Sequence, residues 1–560
     1  MIMLRPRILY IAIAIFGLSA CAYEVPRTGI GGYMAASHAI EVNDTRAASS
    51  FLKEALKREP NNPLILSQAF EFEMTEGNLR AALQLAKKLK AAEALTAPAA
   101  AFMAFDAFLK KDWQATSENL DHVRGLGLDS LVAPLLRGWI LTLQKNLDAG
   151  LAAMDTMKQI PAFERFRIVH KAYMLDFAKR EELALEAYKE ALKDSRIRSL
   201  QPLVANAALL VRATRNDEAV ELLQSYLLKL PQSYVLQTAL KEVKAGKAPA
   251  SVAFDPRQAL AYSMLNAATQ LARDRVSGPA ILYARLSQYL SPKIEETHLL
   301  LGNLFLETGR TRTARASLAF ISDDSPLSEF ARVREAHALR REDKSDQAYQ
   351  ILRVFLETHP KNVLVRSTLA DFLRESERFE EALAEYTLAV DSSTDGIEAD
   401  WFLYFSRGVT NEQIGNWPAA EVDLRKSLEL NPGEPIVLNY LGYSLIDRGK
   451  NYDEARGFIE EAVEKSPSDG AIVDSMGWVQ FLLGEYDDAA RHLERAVELE
   501  PTDPIINEHL GDAYWMVGRE LEARFQWRHA LVLNPEESRV ESIENKIALG
   551  LATVARAGNN

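Results

Sequence analysis

Nine histidines and a single cysteine, Cys21, are the side chains here that most readily do chemistry near neutral pH. One thiol makes no internal disulfide, iron–sulfur cluster or cysteine-based zinc site. The histidines are scattered. His492, His509 and His529 recur near the C-terminus, but at different places in the local periodicity, so they do not converge on one metal ion. Glu508 and His509 have the residue types of an acid–base pair, yet adjacent helix residues point about 100° apart. Asp487 and Asp488 stand just where an apolar-periodic run begins, a place where carboxylates complement the positive end of a helix. No P-loop, dinucleotide fingerprint, HExxH or Gly-x-Ser-x-Gly occurs. The expectation is a chain with no catalytic residue, no metal and no cofactor.

Composition points the same way. The 560 residues are 48% apolar and 26% charged, enough apolar side chain for a large core. Acids outnumber bases, 78 to 65, for a formal net charge of −13. A general nucleic-acid binder needs a basic face, so nucleic acid is not an expected partner.

The first residues read as an address. Arg5 and Arg7 precede an apolar stretch, Ile8 to Phe16, that is far shorter than the roughly 20 residues needed to span a bilayer. Leu18-Ser19-Ala20-Cys21 then resembles the lipobox of bacterial lipoproteins. That resemblance implies cleavage before Cys21 and lipidation of its thiol, with 1–20 as signal peptide. Ala22, in place of aspartate, implies by the same resemblance an outer-membrane location facing the periplasm. Two or more acyl chains would anchor stably where one binds marginally. Residues 21–33, rich in Gly and Pro, read as a lipidated tether.

The body is periodic. Prolines at 432, 467, 501 and 535 are spaced by 35, 34 and 34 residues. Within the last period Leu510-Gly511, Tyr514, Gly518, Ala523, Trp527 and Ala530 precede Pro535, and the period before gives Met476-Gly477, Gly484, Ala489, Leu493 and Ala496. This pattern resembles the tetratricopeptide repeat (TPR), a 34-residue helix–turn–helix. Small residues at motif positions 8, 20 and 27 let helices approach closely, and apolar residues at 4, 7, 11 and 24 form a buried stripe that includes Trp527. The proline stops the second helix. The register extends upstream, with four extra residues at 394–398 and one at 449–451. Weaker periods occupy the N-terminal half.

The expected fold is therefore all-α: a right-handed TPR superhelix, or α-solenoid, of about 14 helix–turn–helix repeats with a C-terminal capping helix. Residues 34–243 form a degenerate N-terminal TPR lobe, 244–256 a linker or irregular insertion, and 257–536 a C-terminal TPR lobe. Residues 537–551 cap the stack, with Val540, Ile543, Ile547 and Leu551 on one face and charges opposite, and 552–560 fray. Fourteen repeats would wind nearly twice and enclose a large concave surface.

In the TPR family, first-helix positions 2, 5, 9, 12 and 13 line that surface. Carried onto this sequence, the partner-binding groove comprises Phe402, Phe405, Asn439, Tyr443, Asp474, Trp478, Phe481, Glu508, Asp512 and Trp515. Aromatics interleaved with polar groups suit a protein interface. From 470 to 535 there are twelve Asp or Glu, five Arg and no Lys, which favours a partner with a basic or mixed surface.

Stretches such as 438–444, 472–478 and 509–515, with 280–286 and 377–383, resemble proteobacterial outer-membrane TPR lipoproteins over about 255–551. One branch of that group serves as adaptor for a periplasmic carboxyl-terminal processing protease, bringing it substrates such as peptidoglycan hydrolases. The resemblance thus implies a non-enzymatic, membrane-anchored scaffold whose partners are that protease and its substrates. The alternative is a scaffold or assembly factor for envelope polysaccharide export, secretion or cell-wall synthesis. The partner's identity and the oligomeric state are left open.

Overall fold

The computed structural model describes residues 28–125, 127–193, 199–393 and 400–551. The signal segment, Cys21, the 394–398 insertion and the 552–560 tail lie outside the described residues. Among the described residues are thirty α-helices and two short 3-10 helices, with no strand. Each helix packs chiefly on its neighbours in sequence, as helix-pair repeats must.

The close approaches expected of the small positions are present. A Cβ built on Gly477 would stand 2.5 Å from Leu493 Cγ, and one on Gly442 would stand 2.7 Å from Ile459 Cγ1 and 2.9 Å from the Ala455 carbonyl. At Gly511 it would run into the Trp527 indole, which is fully buried. The turns between paired helices reverse through left-handed residues; Gly484 and Gly518 have φ of 82° and 80°. The extra residue at 449–451 is absorbed by two such residues, Gly449 and Asn451.

Residues 28–33 differ from the expectation of a tether. Thr28 Oγ1 accepts a hydrogen bond from Gly31 N–H at 3.0 Å and opens the Gly29–Glu41 helix. The glycines there serve packing. A Cβ on Gly32 would lie 2.9 Å from Ala55 Cβ on the paired Thr45–Arg58 helix.

The described residues form two compact units, one ending at Ile351 and one beginning at Leu352. Residues 244–256 lie within the first unit: Val252–Phe254 is a 3-10 turn with Val252 and Ala253 buried, and Asp255 caps the Pro256–Arg273 helix.

In the N-terminal unit one apolar cluster runs from Ala36 to Ala338. Several helices are buried on every side; all residues from Pro202 to Leu210 of the Gln201–Arg212 helix are buried. Early and late helices of the unit also meet. Arg285 donates from Nε and Nη2 to the Thr75 carbonyl at 3.2 and 2.8 Å. Tyr289 donates to Asp106 at 2.8 Å, and Arg310 reaches Asn43 at 3.2 Å and Glu76 at 3.5 Å. The expectation of a wide concave surface therefore does not hold for this unit, whose inner helices are enclosed.

In the C-terminal unit the apolar clusters are smaller and sequential, one from Phe405 to Val479 and another from Ala489 to Ile543. The Glu537–Leu549 helix ends the unit, with Ile543 buried and Ile547 and Leu551 packed on the last cluster.

Candidate partner-binding groove

The candidate groove residues lie on the first helices of successive helix pairs. Asp474, Trp478 and Phe481 are on Gly470–Leu482, and Glu508, Asp512 and Trp515 on Pro504–Met516. Both helices begin on an aspartate: Asp469 accepts from the Ile472 N–H, and Asp503 from those of Ile505 and Ile506.

These six residues fall into two groups, one around His509 and one around Lys546. Trp478 is the middle ring of a stack, 4.9 Å from Phe481 and 4.0 Å from His509, with interplanar angles of 7° and 14°. His509 Nδ1 lies 3.0 Å from both oxygens of Asp474. A carboxylate only accepts, so this nitrogen carries the hydrogen and fixes the ring against the indole.

The acidic end of the groove is taken by the chain itself. Glu508 and Asp512 are each only 3% exposed. Lys546, on the final helix, donates to Glu508 Oε1 and Asp512 Oδ2, both at 2.7 Å. Arg539 donates to Glu508 Oε2 at 2.9 Å, and Trp527 Nε1 to Asp512 Oδ1 at 2.9 Å. All four carboxylate oxygens thus have donors. Burial pushes the Glu508 carboxyl up, but Lys546 and Arg539 outweigh it and hold the group below the usual range. At Asp512 burial wins over Lys546 and the carboxyl is raised. Gly550 packs against Trp515, whose outer surface is also met by Arg524 at 4.8 Å. The charges of the final helix therefore do not all face away from its packed side. Arg539 and Lys546, seven residues apart and so on one helical face, point into the groove. The sequence reading missed this pair; the signal was that spacing set against Glu508 and Asp512 four residues apart.

The remaining candidates are placed differently. Phe405 is buried in the core beside Tyr440, 5.6 Å between centroids, whereas Phe402 is 44% exposed and meets Trp401 edge-on. Tyr443 is part-buried; burial raises its phenol, and the charges of Asp474 and Asp447 add to the rise. Asn439 carries the one polar atom of the groove set without a partner among the described residues: its Oδ1 is buried with no donor. Such an acceptor costs about 1–3 kcal/mol until a donor reaches it.

No group of three or more His, Cys, Asp or Glu among the described residues is arranged to hold a metal ion. Nor is any helix among them long and apolar enough to cross a membrane.

Two family models match this part of the chain, one described as TPR repeat over residues 477–518 and one as tetratricopeptide repeat over 410–470. Residues 410–470 and 477–518 thus match tetratricopeptide repeats. The first match holds Trp478, Phe481, Glu508, Asp512 and Trp515, and the second Asn439 and Tyr443. A TPR repeat-containing protein of Pseudomonas aeruginosa is 29% identical over 195 residues, 34% of this chain and 32% of the relative; the chain thus matches about a third of that relative's length. Among solved structures, the APC/C hetero-tetramer Cut9–Hcn1 is 15% identical and covers 94% of this chain and 97% of its own, with a TM-score of 0.39. A tetratricopeptide repeat protein from Parabacteroides merdae is 20% identical over 46% of this chain and 98% of its own, TM-score 0.36. YrrB, described as a TPR protein with an unusual peptide-binding site, is 17% identical over 35% and 97%, TM-score 0.28. TPR repeats indicate a protein–protein interaction scaffold, and TPR proteins are generally non-enzymatic.

Proposed function

We propose that this TPR chain is a non-catalytic adaptor, anchored to the outer membrane through lipid on Cys21 and facing the periplasm. Its role is to present substrates, such as peptidoglycan hydrolases, to a carboxyl-terminal processing protease. The observation that carries partner binding is the unfilled carbonyl of Asn439, on the groove-lining helix Pro435–Asp447 that also bears Tyr443. A peptide N–H supplied by a partner would satisfy it, while aromatic side chains beside it supply contact area. Because Glu508 and Asp512 already hold the chain's own cations, the partner engages the part of the groove nearer Phe402, Asn439, Tyr443 and Trp478. The protease and membrane elements of the reading rest on the resemblance to adaptor lipoproteins and on the lipobox-like Leu18-Ser19-Ala20-Cys21. Holding protease and substrate on one anchored scaffold raises their effective concentration without new chemistry.

The test is a crosslinked pull-down of the tagged full-length protein from its native envelope, read by mass spectrometry, with Asn439→Leu and Trp478→Ala variants alongside. Enrichment of a tail-specific protease together with cell-wall hydrolases, lost in both variants, is the expected result. Enrichment of export, secretion or cell-wall synthesis machinery without a protease would replace the adaptor reading with that of an assembly scaffold. Fatty-acid labelling of the protein, abolished by Cys21→Ala, checks the anchor.

A further inference from the structure

The helix Tyr234–Lys244 stands where the period breaks, just before residues 244–256. It packs chiefly on the two helices before it, Gln201–Arg212 and Asn216–Leu227, while the next helix, Pro256–Arg273, pairs onward with Ser277–Leu290. Its inner side buries Leu236, Ala239 and Val243; Tyr234, Gln237, Lys241 and Lys244 are exposed. The exposed four recur at helical spacing, so they form one outward stripe. The loop that leads into the helix is apolar and in water: Leu228 is 88% exposed and Leu230 46%, with Tyr234 at 55%. Single exposed leucines are ordinary, but a cluster marks a contact surface.

Charge gathers at the same place. Between 226 and 250 the sequence has Lys229, Lys241, Lys244 and Lys247, one acid, Glu242, and no arginine, in a chain whose net charge is −13. All of these lysines are exposed, and none forms an ion pair among the described residues; Lys229 Nζ lies 5.7 Å from the Tyr226 ring. Elsewhere Lys110, Lys171 and Lys546 each meet a carboxylate.

We propose that this stripe and its leading loop dock on an anionic lipid bilayer, a membrane contact separate from the lipid on Cys21 and independent of it. Lysines without carboxylate partners are complementary to a surface of phosphate headgroups, which attracts each of them. Leu228 and Leu230 enter the boundary between headgroups and acyl chains. Tyr234 sits at headgroup level, ring inward and hydroxyl wet, and the lysine stems lie along apolar surface with their ammonium groups in water. The helix has 11 residues and carries its stripe from end to end, so it lies flat on the surface as interfacial helices do. Lysine is a compact point charge suited to a diffuse layer of headgroups; recognition of one carboxylate on an acidic protein favours the arginine fork, which is missing here.

The experiment is hydrogen exchange read by mass spectrometry on the full-length protein, alone, with phosphatidylcholine vesicles, and with vesicles of phosphatidylcholine and phosphatidylglycerol in equal parts. Fragments covering 226–247 are expected to exchange at least about threefold more slowly with the anionic vesicles and to be unchanged by the neutral ones. The triple variant Lys229→Glu, Lys241→Glu, Lys244→Glu loses the protection, as does Leu228→Ser with Leu230→Ser, whereas arginine at the same three lysine positions keeps it. All these positions are exposed, and circular dichroism checks that each variant is folded. Unchanged exchange with anionic vesicles overturns the proposal, even where the protein sediments with them, and so does equal protection by neutral ones. Protection that grows with protein concentration in the absence of vesicles assigns the surface to a second copy, and protection by polyglutamate but not by vesicles assigns it to an acidic protein; either result overturns the proposal. Because the readout is confined to 226–247, its failure leaves the Cys21 anchor to the fatty-acid labelling, and failure of that labelling leaves this contact standing.

Discussion

Arg285 places its guanidinium on the carbonyl of Thr75, a residue 210 positions earlier, and donates two hydrogen bonds to it. Burial pulls the guanidinium down to about 10, which still leaves it charged at neutral pH. Replacing it with methionine keeps much of the volume but strips a part-buried carbonyl of its charged donors. Arg285→Met is expected to destabilise the N-terminal unit by about 2–3 kcal/mol. Urea denaturation followed by far-UV dichroism checks this, and a shift under about 0.5 kcal/mol would show that the contact contributes nothing.

Lys546 is the shared cation of two buried acids, and removing it leaves Asp512 with no cation and Glu508 with Arg539 alone. Lys546→Met is expected to cost about 3–5 kcal/mol, seen as faster hydrogen exchange across 504–551. The triple variant with Glu508→Gln and Asp512→Asn should regain most of the protection. If the single variant exchanges like wild type, the final helix is held by its apolar face alone. Acid acts on the same contact with opposed signs. The lowered Glu508 contributes stability above the usual carboxylate range that is lost as pH falls through its depressed value, while the raised Asp512 favours the fold in its protonated form at the acid end.

His170 gives a cleaner pH signature. Its Nδ1 lies 2.8 Å from Trp139 Nε1, and its Nε2 lies 2.7 Å from Ser263 Oγ. Indole N–H only donates, so Nδ1 accepts and the ring is neutral with its hydrogen on Nε2. Burial pulls the imidazole from 6.5 to about 3. Below 6.5 the unfolded chain therefore binds a proton that the native one refuses, and stability falls by about 1.4 kcal/mol per pH unit down toward pH 3. In His170→Gln, which keeps an acceptor and a donor, this portion of the slope between pH 6.5 and 5 should vanish. Equal slopes in both proteins would contradict it.

Gly477→Ala forces a methyl to within 2.5 Å of Leu493 Cγ, between paired helices. The expected cost is about 1–3 kcal/mol in urea titration. The same change at Gly457, which has open space around it, serves as control and should be neutral or slightly stabilising.

Asn439→Leu separates stability from binding. Removing the partnerless carbonyl should raise the stability of the isolated protein by about 1 kcal/mol while partner capture falls. A variant that is both more stable and fully competent in the pull-down would assign Asn439 no part in recognition.

The repeat was legible because its signals are local. Gly477, Gly511, Ala489 and Trp527 sit where a 34-residue period needs small or large side chains, and each packs accordingly. Gly29 and Gly32 misled, since glycine reads as a loop former unless the helix it packs on is known. The contacts of Arg285 with Thr75, and of Tyr289 with Asp106, could not be read at all. They join residues many repeats apart, and no local period encodes them. Of the candidate groove residues, the spacing on each helix could be read but not what meets them. Asp474, Trp478 and Phe481 come together around His509, but the cations that meet Glu508 and Asp512 come from a helix read for its apolar stripe alone.

A linear stack of repeats unravels from its ends, because terminal repeats have one neighbour instead of two. The N-terminal unit has bonded its beginning to its later helices, so its first repeats are no longer terminal in this sense. In a nearest-neighbour description its boundary has been joined into a loop. Loss of any one repeat there removes support from both directions, and the unit is built to melt as a single cooperative block and not by peeling.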